Sequence, residues 1–179
     1  GNRAEGIVVG VIDGGINFDS PSYAPTAADG YVHVNPLGTG NALGTCATGG
    51  VDAGLCNDKV IGAYDFAFPI ACPTGTCAAN ILENPGAEDL DGHGSHTSST
   101  AAGNPATATF RGNDISVSGV APRANVILYD TCWFNTTTNT GPCGTVALVQ
   151  AVNQVVADGV VDVVNYSISG GTQPWTDSI

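Results

Sequence analysis

The chain has 179 residues, 42% of them hydrophobic and only 11% charged, with 25 glycines and 10 prolines spread along its length. That length suits one domain with a single sizeable core, and the composition is that of a globular, loop-rich protein. Sixteen acids against four bases (Arg3, Lys59, Arg111 and Arg123) leave a net charge of -12, which repels phosphate backbones and anionic lipid and so excludes nucleic acid and membrane surfaces as partners.

Residues 6–13 (GIVVGVID) form a short apolar run rich in β-branched side chains, ending on a lone acid and two glycines. Such a run predicts a strand buried on both faces, as in parallel sheets, with Asp13 at its carboxyl end. Residues 14–58 carry Pro, Gly, Asn, Asp and Thr with little periodicity and read as loop. A second strand is expected over 59–68 (KVIGAYDFAF) and a helix over 95–103 (SHTSSTAAG), whose small residues allow close packing. Residues 124–131 (ANVILYDT) read as a third strand. Residues 145–159 (TVALVQAVNQVVADG) space their apolar positions as a helix does and end on a capping glycine. A fourth strand is expected over 160–168 (VVDVVNYSI). Strands alternating with helices imply an α/β fold of three layers around a mostly parallel sheet. Ligands of such sheets gather at the carboxyl ends of the strands, which is where Asp13 lies. No apolar run reaches the roughly 18 residues of a membrane span.

Six cysteines sit in stretches rich in Gly, Thr, Pro or Asn. An even count in loops fits disulfides made in an oxidising compartment, so an extracellular protein is expected. No leader segment opens the chain, so it reads as a mature or excised piece. Six cysteines allow 15 pairings, among which sequence alone does not choose; neighbour pairing, which closes short loops, is the expectation: Cys46 with Cys56, Cys72 with Cys77 and Cys132 with Cys143. A zinc knuckle is the alternative, disfavoured because no CxxC occurs.

The stretch 89–100 (DLDGHGSHTSST) places two of the three histidines three residues apart. His93 follows DLDG and precedes the expected helix, so its ring feels the positive end of the helix dipole, which disfavours imidazolium. A carboxylate beside it restores the balance, holds the ring and fixes its tautomer. Asp13 is the candidate, and the pair should approach within hydrogen-bond reach. Taken alone, Asp13 equally fits a turn cap using the N–H groups of Gly14 and Gly15. His96 reads as structural. Metal binding by the His-x-x-His pair with Asp89 or Asp91 is a further alternative. Zinc hydrolases, however, carry HExxH with a glutamate base, and Gly94 and Ser95 fill that gap here.

These residues resemble the subtilisin-like serine proteases, the subtilases. VVGVIDGGIN around Asp13 resembles the family's aspartate motif. DGHGSHTSSTAAG resembles its His-Gly-Thr-His motif, with Ser95 where threonine is usual. SGVAPRANVILYDTCW is similar to the Gly-Val-Ala-Pro stretch and the strand after it, and NYSISGG to the substrate-binding strand. CNDKVIGAYDF is similar to larger plant and bacterial subtilases that often carry a protease-associated insert. The motifs follow family order over nearly the whole chain.

The resemblance implies a subtilisin-like α/β fold and serine endopeptidase activity, with Asp13 as the orienting acid and His93 as the general base. It implies that the backbone of Ser167, Ile168, Ser169 and Gly170 pairs with polypeptide substrates. The nucleophile motif, Gly-Thr-Ser-Met-Ala, and the oxyanion asparagine are not in the chain. Neither Ser95 nor Ser98 sits on a strand-to-helix elbow, and Asn165 lies inside the substrate-strand motif. Residues 1–179 therefore read as the N-terminal part of a catalytic domain whose serine lies beyond Ile179, inactive alone and partnered by the rest of that domain. No cofactor is implied for catalysis. A structural calcium is compatible, with oxygens on Asn17, Asp19, Asp52, Asp58, Asp89 and Asp91 but no EF-hand loop. A non-catalytic binding or inhibitory module on the same half-fold is the competing class, and a pseudoenzyme the third.

Overall fold

The computed structural model describes residues 3–169. Its strands are β1 (Val8–Asp13), β2 (Leu43–Gly44), β3 (Val60–Asp65), β4 (Ile81–Leu82), β5 (Ala106–Phe110), β6 (Asn113–Val117), β7 (Asn125–Asp130), β8 (Phe134–Asn135) and β9 (Val163–Tyr166). Its helices are α1 (Phe68–Ala71), α2 (His93–Ala102) and α3 (Thr145–Asp158), with a 3-10 turn at Pro21–Tyr23.

Five strands form a wholly parallel sheet in the order β2-β3-β7-β1-β9. The two central strands, β1 and β7, are buried at every residue, the expected consequence of covering both faces. Alternate side chains point to opposite faces. Val9 and Val11 join Val126, Leu128 and Ala102 on one side, where α2 packs. Val8 and Ile12 join Ile127, Leu148 and Ala151 on the other, where α3 packs. The result is an α/β fold in three layers. α3 ends on Gly159 at φ +65°, the left-handed cap its sequence predicts. Asp158 ties that helix to the sheet, accepting the hydroxyls of Tyr64 and Tyr129, each at 2.6 Å.

The structure departs from the sequence reading at the start of α2, which begins at His93 where the helix was expected from Ser95, and in three larger ways. The second expected strand stops at Asp65, and residues 68–71 turn helical instead. The fourth runs only over Val163–Tyr166, so Ser167, Ile168 and Ser169 follow it as irregular chain, and Gly170 lies outside the described residues. Its ladder with β1 ends at the Ile12–Tyr166 pair, where β1 turns away through Gly14 and Gly15. Third, β5 and β6 form an antiparallel hairpin that the sequence reading left unassigned. Nearly all of its residues are exposed, so no alternation of burial stood behind the pattern.

The cysteines bond as Cys46–Cys56, Cys72–Cys77 and Cys132–Cys143. One side of β9 has no strand against it among the described residues, and Val163 and Val164 are 55% and 44% exposed there.

Candidate active site

β1 delivers Asp13 to the carboxyl edge of the sheet, 1% exposed. A buried carboxylate is costly unless it is paired and hydrogen-bonded, and Asp13 collects three donors. Oδ1 accepts from the Gly14 N–H at 2.8 Å and from His93 Nδ1 at 2.7 Å. Oδ2 accepts from the Thr97 hydroxyl at 2.9 Å. The backbone carbonyl of Asp13 accepts from the Thr131 N–H at 2.8 Å, which locks the exit of β1 to that of β7. The turn-cap role and the histidine contact therefore coexist on one oxygen.

His93 is the first residue of α2. The free N–H groups there are met by acids from the preceding turn. Asp89 accepts from the Gly92 N–H through Oδ1 and from the Ser95 N–H through Oδ2, both at 2.7 Å, and Asp91 accepts from the His93 N–H at 2.8 Å. Carboxylates at this end satisfy orphan donors and match the helix dipole. Asp89 and Asp91, two of the residues whose oxygens are compatible with a structural calcium, cap the start of α2 in this way. Asp52, Asp58 and Asn17 likewise accept backbone N–H groups. Among the described residues no three His, Cys, Asp or Glu side chains gather in one group.

The approach of α2 to β1 depends on glycine. A Cβ on Gly94 would lie 2.2 Å from the Gly15 carbonyl oxygen, and Gly15 itself sits at φ +89° against Ala87 O. The Ser95 hydroxyl accepts from the Asn17 N–H at 2.8 Å. That bond fastens the loop after β1 to the first turn of α2.

The His93 side chain is 55% exposed, whereas that of Asp13 is 1% exposed. The hydrogen bond to Asp13 holds the imidazole above its ordinary value, helped by the charges of Asp13, Asp91 and Asp89 and opposed by partial burial. With the Nδ1 proton directed at Asp13, Nε2 is the nitrogen left to take a proton from a nucleophile. His96, one turn on, is exposed; of the two motif histidines, His93 is the one bonded to Asp13.

Ser167 and Ile168 begin just beyond the Tyr166 position that pairs with Ile12, so they lie at the same end of the sheet as Asp13. The loop closed by Cys132–Cys143 borders the site as well. A Cβ on Gly14 would touch Cys132 Cβ at 3.5 Å, and one on Gly141 would lie 2.5 Å from Asp91 Oδ2. Sequence reasoning missed Thr97 and Thr131. Thr97 carried one local signal, a position four residues after His93 and hence on the same helix face.

The family model for the subtilase family matches residues 4–179. Among curated proteins, the chain is 35% identical to subtilisin-like protease SBT1.7 of Arabidopsis thaliana, over 94% of this chain and 21% of that protein. It is 35% identical to subtilisin-like protease SBT4.15 of the same plant, over 94% of this chain and 20% of the relative. Against subtilisin-like protease SBT1.3, also from Arabidopsis thaliana, identity is 34% over 95% of this chain and 20% of the relative. The chain thus spans about a fifth of the length of the curated relatives it matches. It belongs to the subtilase family.

Proposed function

We propose that residues 1–179 supply the acid, the base and the substrate strand of a serine endopeptidase whose nucleophile and oxyanion asparagine come from beyond residue 179. The observation that carries this reading is the 2.7 Å bond between buried Asp13 Oδ1 and Nδ1 of the half-exposed His93 ring, in a chain of the subtilase family. In the complete site His93 Nε2 takes the serine proton as the hydroxyl attacks the peptide carbonyl. Asp13 holds the tautomer and stabilises the imidazolium that forms, and His93 then returns the proton to the leaving amine. The reaction needs no cofactor. The backbone of Ser167, Ile168, Ser169 and Gly170 pairs with the polypeptide on the acyl side of the scissile bond.

The remainder of the catalytic domain is the partner this reading requires. It completes the sheet on the open side of β9, covering Val163 and Val164. Exposed Val146 and Val156 on α3 offer it more apolar surface. Three disulfides support a secreted protein, and the acidic surface disfavours nucleic acid and membranes as partners.

The test is a fluorophosphonate probe applied to the parent protein, followed by peptide mapping. The label should fall on a serine beyond residue 179 and should be lost in His93→Ala. Residues 1–179 alone should neither take the probe nor hydrolyse an unfolded protein substrate. A parent protein that binds polypeptide without taking the probe would instead make the chain a binding module.

A further inference from the structure

We infer that Thr97 is a positioning residue for the Asp13–His93 pair: its hydroxyl donates to Asp13 Oδ2 at 2.9 Å and fixes the carboxylate with Oδ1 facing His93 Nδ1. This rests on the endopeptidase reading above.

Thr97 stands four residues after His93 on α2, so one helix face presents both the base and the clamp for its acid. The two oxygens of Asp13 then have separate duties. Oδ1 serves His93 and the Gly14 N–H, and Oδ2 receives Thr97. The Thr97 hydroxyl has one proton and two acceptors in range, since the Gly94 carbonyl lies at 3.2 Å. The carboxylate is both nearer and charged, and hydrogen bonds to charged acceptors are the stronger kind. The proton therefore goes to Asp13.

The clamp has a chemical consequence. Asp13 is buried, so without Thr97 its Oδ2 loses a donor where water cannot readily replace it. The carboxylate then relieves that loss by turning its oxygens. That turn weakens the bond to His93, which is the main influence holding that imidazole up. The other charges facing His93 are Asp89 and Asp91, on the turn before α2, and they are untouched.

The experiment compares Thr97→Val and Thr97→Ser with wild type in the parent protein. Thr97→Val keeps the shape and removes the donor, and Thr97→Ser keeps the donor. The valine variant should lose about tenfold in kcat with KM little changed, and the acid limb of its kcat/KM profile should move to lower pH. The serine variant should retain the wild-type limb and most of the rate. A second readout needs no turnover: the rate at which diethyl pyrocarbonate modifies His93, followed by peptide mass against pH, reports the imidazole directly. That curve should shift downward in Thr97→Val only. A valine variant that keeps the wild-type limb and modification curve overturns the inference, even if it melts earlier. If wild type itself shows no hydrolysis, the endopeptidase reading fails, while the modification curves still decide whether Thr97 acts through Asp13 on His93.

Discussion

The two ends of α2 each hold a buried charge of the sign that end favours, and they use it differently. At the N-terminal end lies Asp13, with Asp89 and Asp91 capping the first turn. At the C-terminal end lies Lys59, fully buried, whose Nζ donates to the carbonyls of Ala102 at 2.5 Å, Pro122 at 3.0 Å and Ala124 at 2.5 Å. Both arrangements match the helix dipole. The anion is coupled to a half-exposed imidazole, so its charge can act on something arriving from solvent. The cation is sealed among backbone carbonyls and joins the end of α2 to the segment entering β7. Burial pushes the Lys59 ammonium down to about 7, although three carbonyl acceptors favour its charged form. One end of the helix couples its charge to a solvent-facing ring, and the other holds the helix in place.

That contrast can be broken most sharply at Asp13. Asp13→Asn in the parent protein should lower kcat by about 10⁴-fold, because the amide cannot hold the imidazolium or the correct tautomer. The urea midpoint should move little by comparison. A loss of activity that merely tracks a loss of folded protein would erase the distinction between the two ends.

Lys59→Met should do the reverse. Three buried carbonyls lose their donor, which should cost about 3 kcal/mol of stability, while the folded fraction keeps near-normal catalysis. Lys59 also gives a pH signature. Its folded value lies below the ordinary 10.5, so across that interval the folded state binds fewer protons than the unfolded one. Stability contributed by this residue therefore rises as pH climbs from about 7 to 10.5. Urea midpoints of wild type minus those of Lys59→Met should increase over this window, and a flat difference would refute it.

The smallest effect belongs to the cap. Asp89→Ala removes the acceptor of the Gly92 and Ser95 N–H groups and should cost about 1 kcal/mol, read as a lower melting temperature. It also withdraws a negative charge that raises the His93 value, so the acid limb should fall slightly.

Much of this was legible in the sequence. The run before Asp13 is continuously apolar because β1 is covered on both faces, and α3 shows helical spacing because one face of it is buried. Asp13 and His93 stood out because each sits where a lone charge or ring needs a partner, and the cysteines because their loops are short. The limits of β3 and β9 were misjudged by a few residues. Apolar character continues past Asp65 and begins before Val163, while the ladders depend on which neighbours remain alongside.

What the sequence alone determined are properties carried within one segment: burial pattern, helix spacing and the order of the motifs. The tertiary structure decided everything that joins segments far apart along the chain. Thr97 meets Asp13 across 84 positions and Lys59 reaches Pro122 across 63. Gly94 can touch Gly15 only because neither has a side chain in the way. A hydrogen bond reaches about 3 Å and is directional, so such partners exist only after the parallel sheet has set its register and α2 has settled against it.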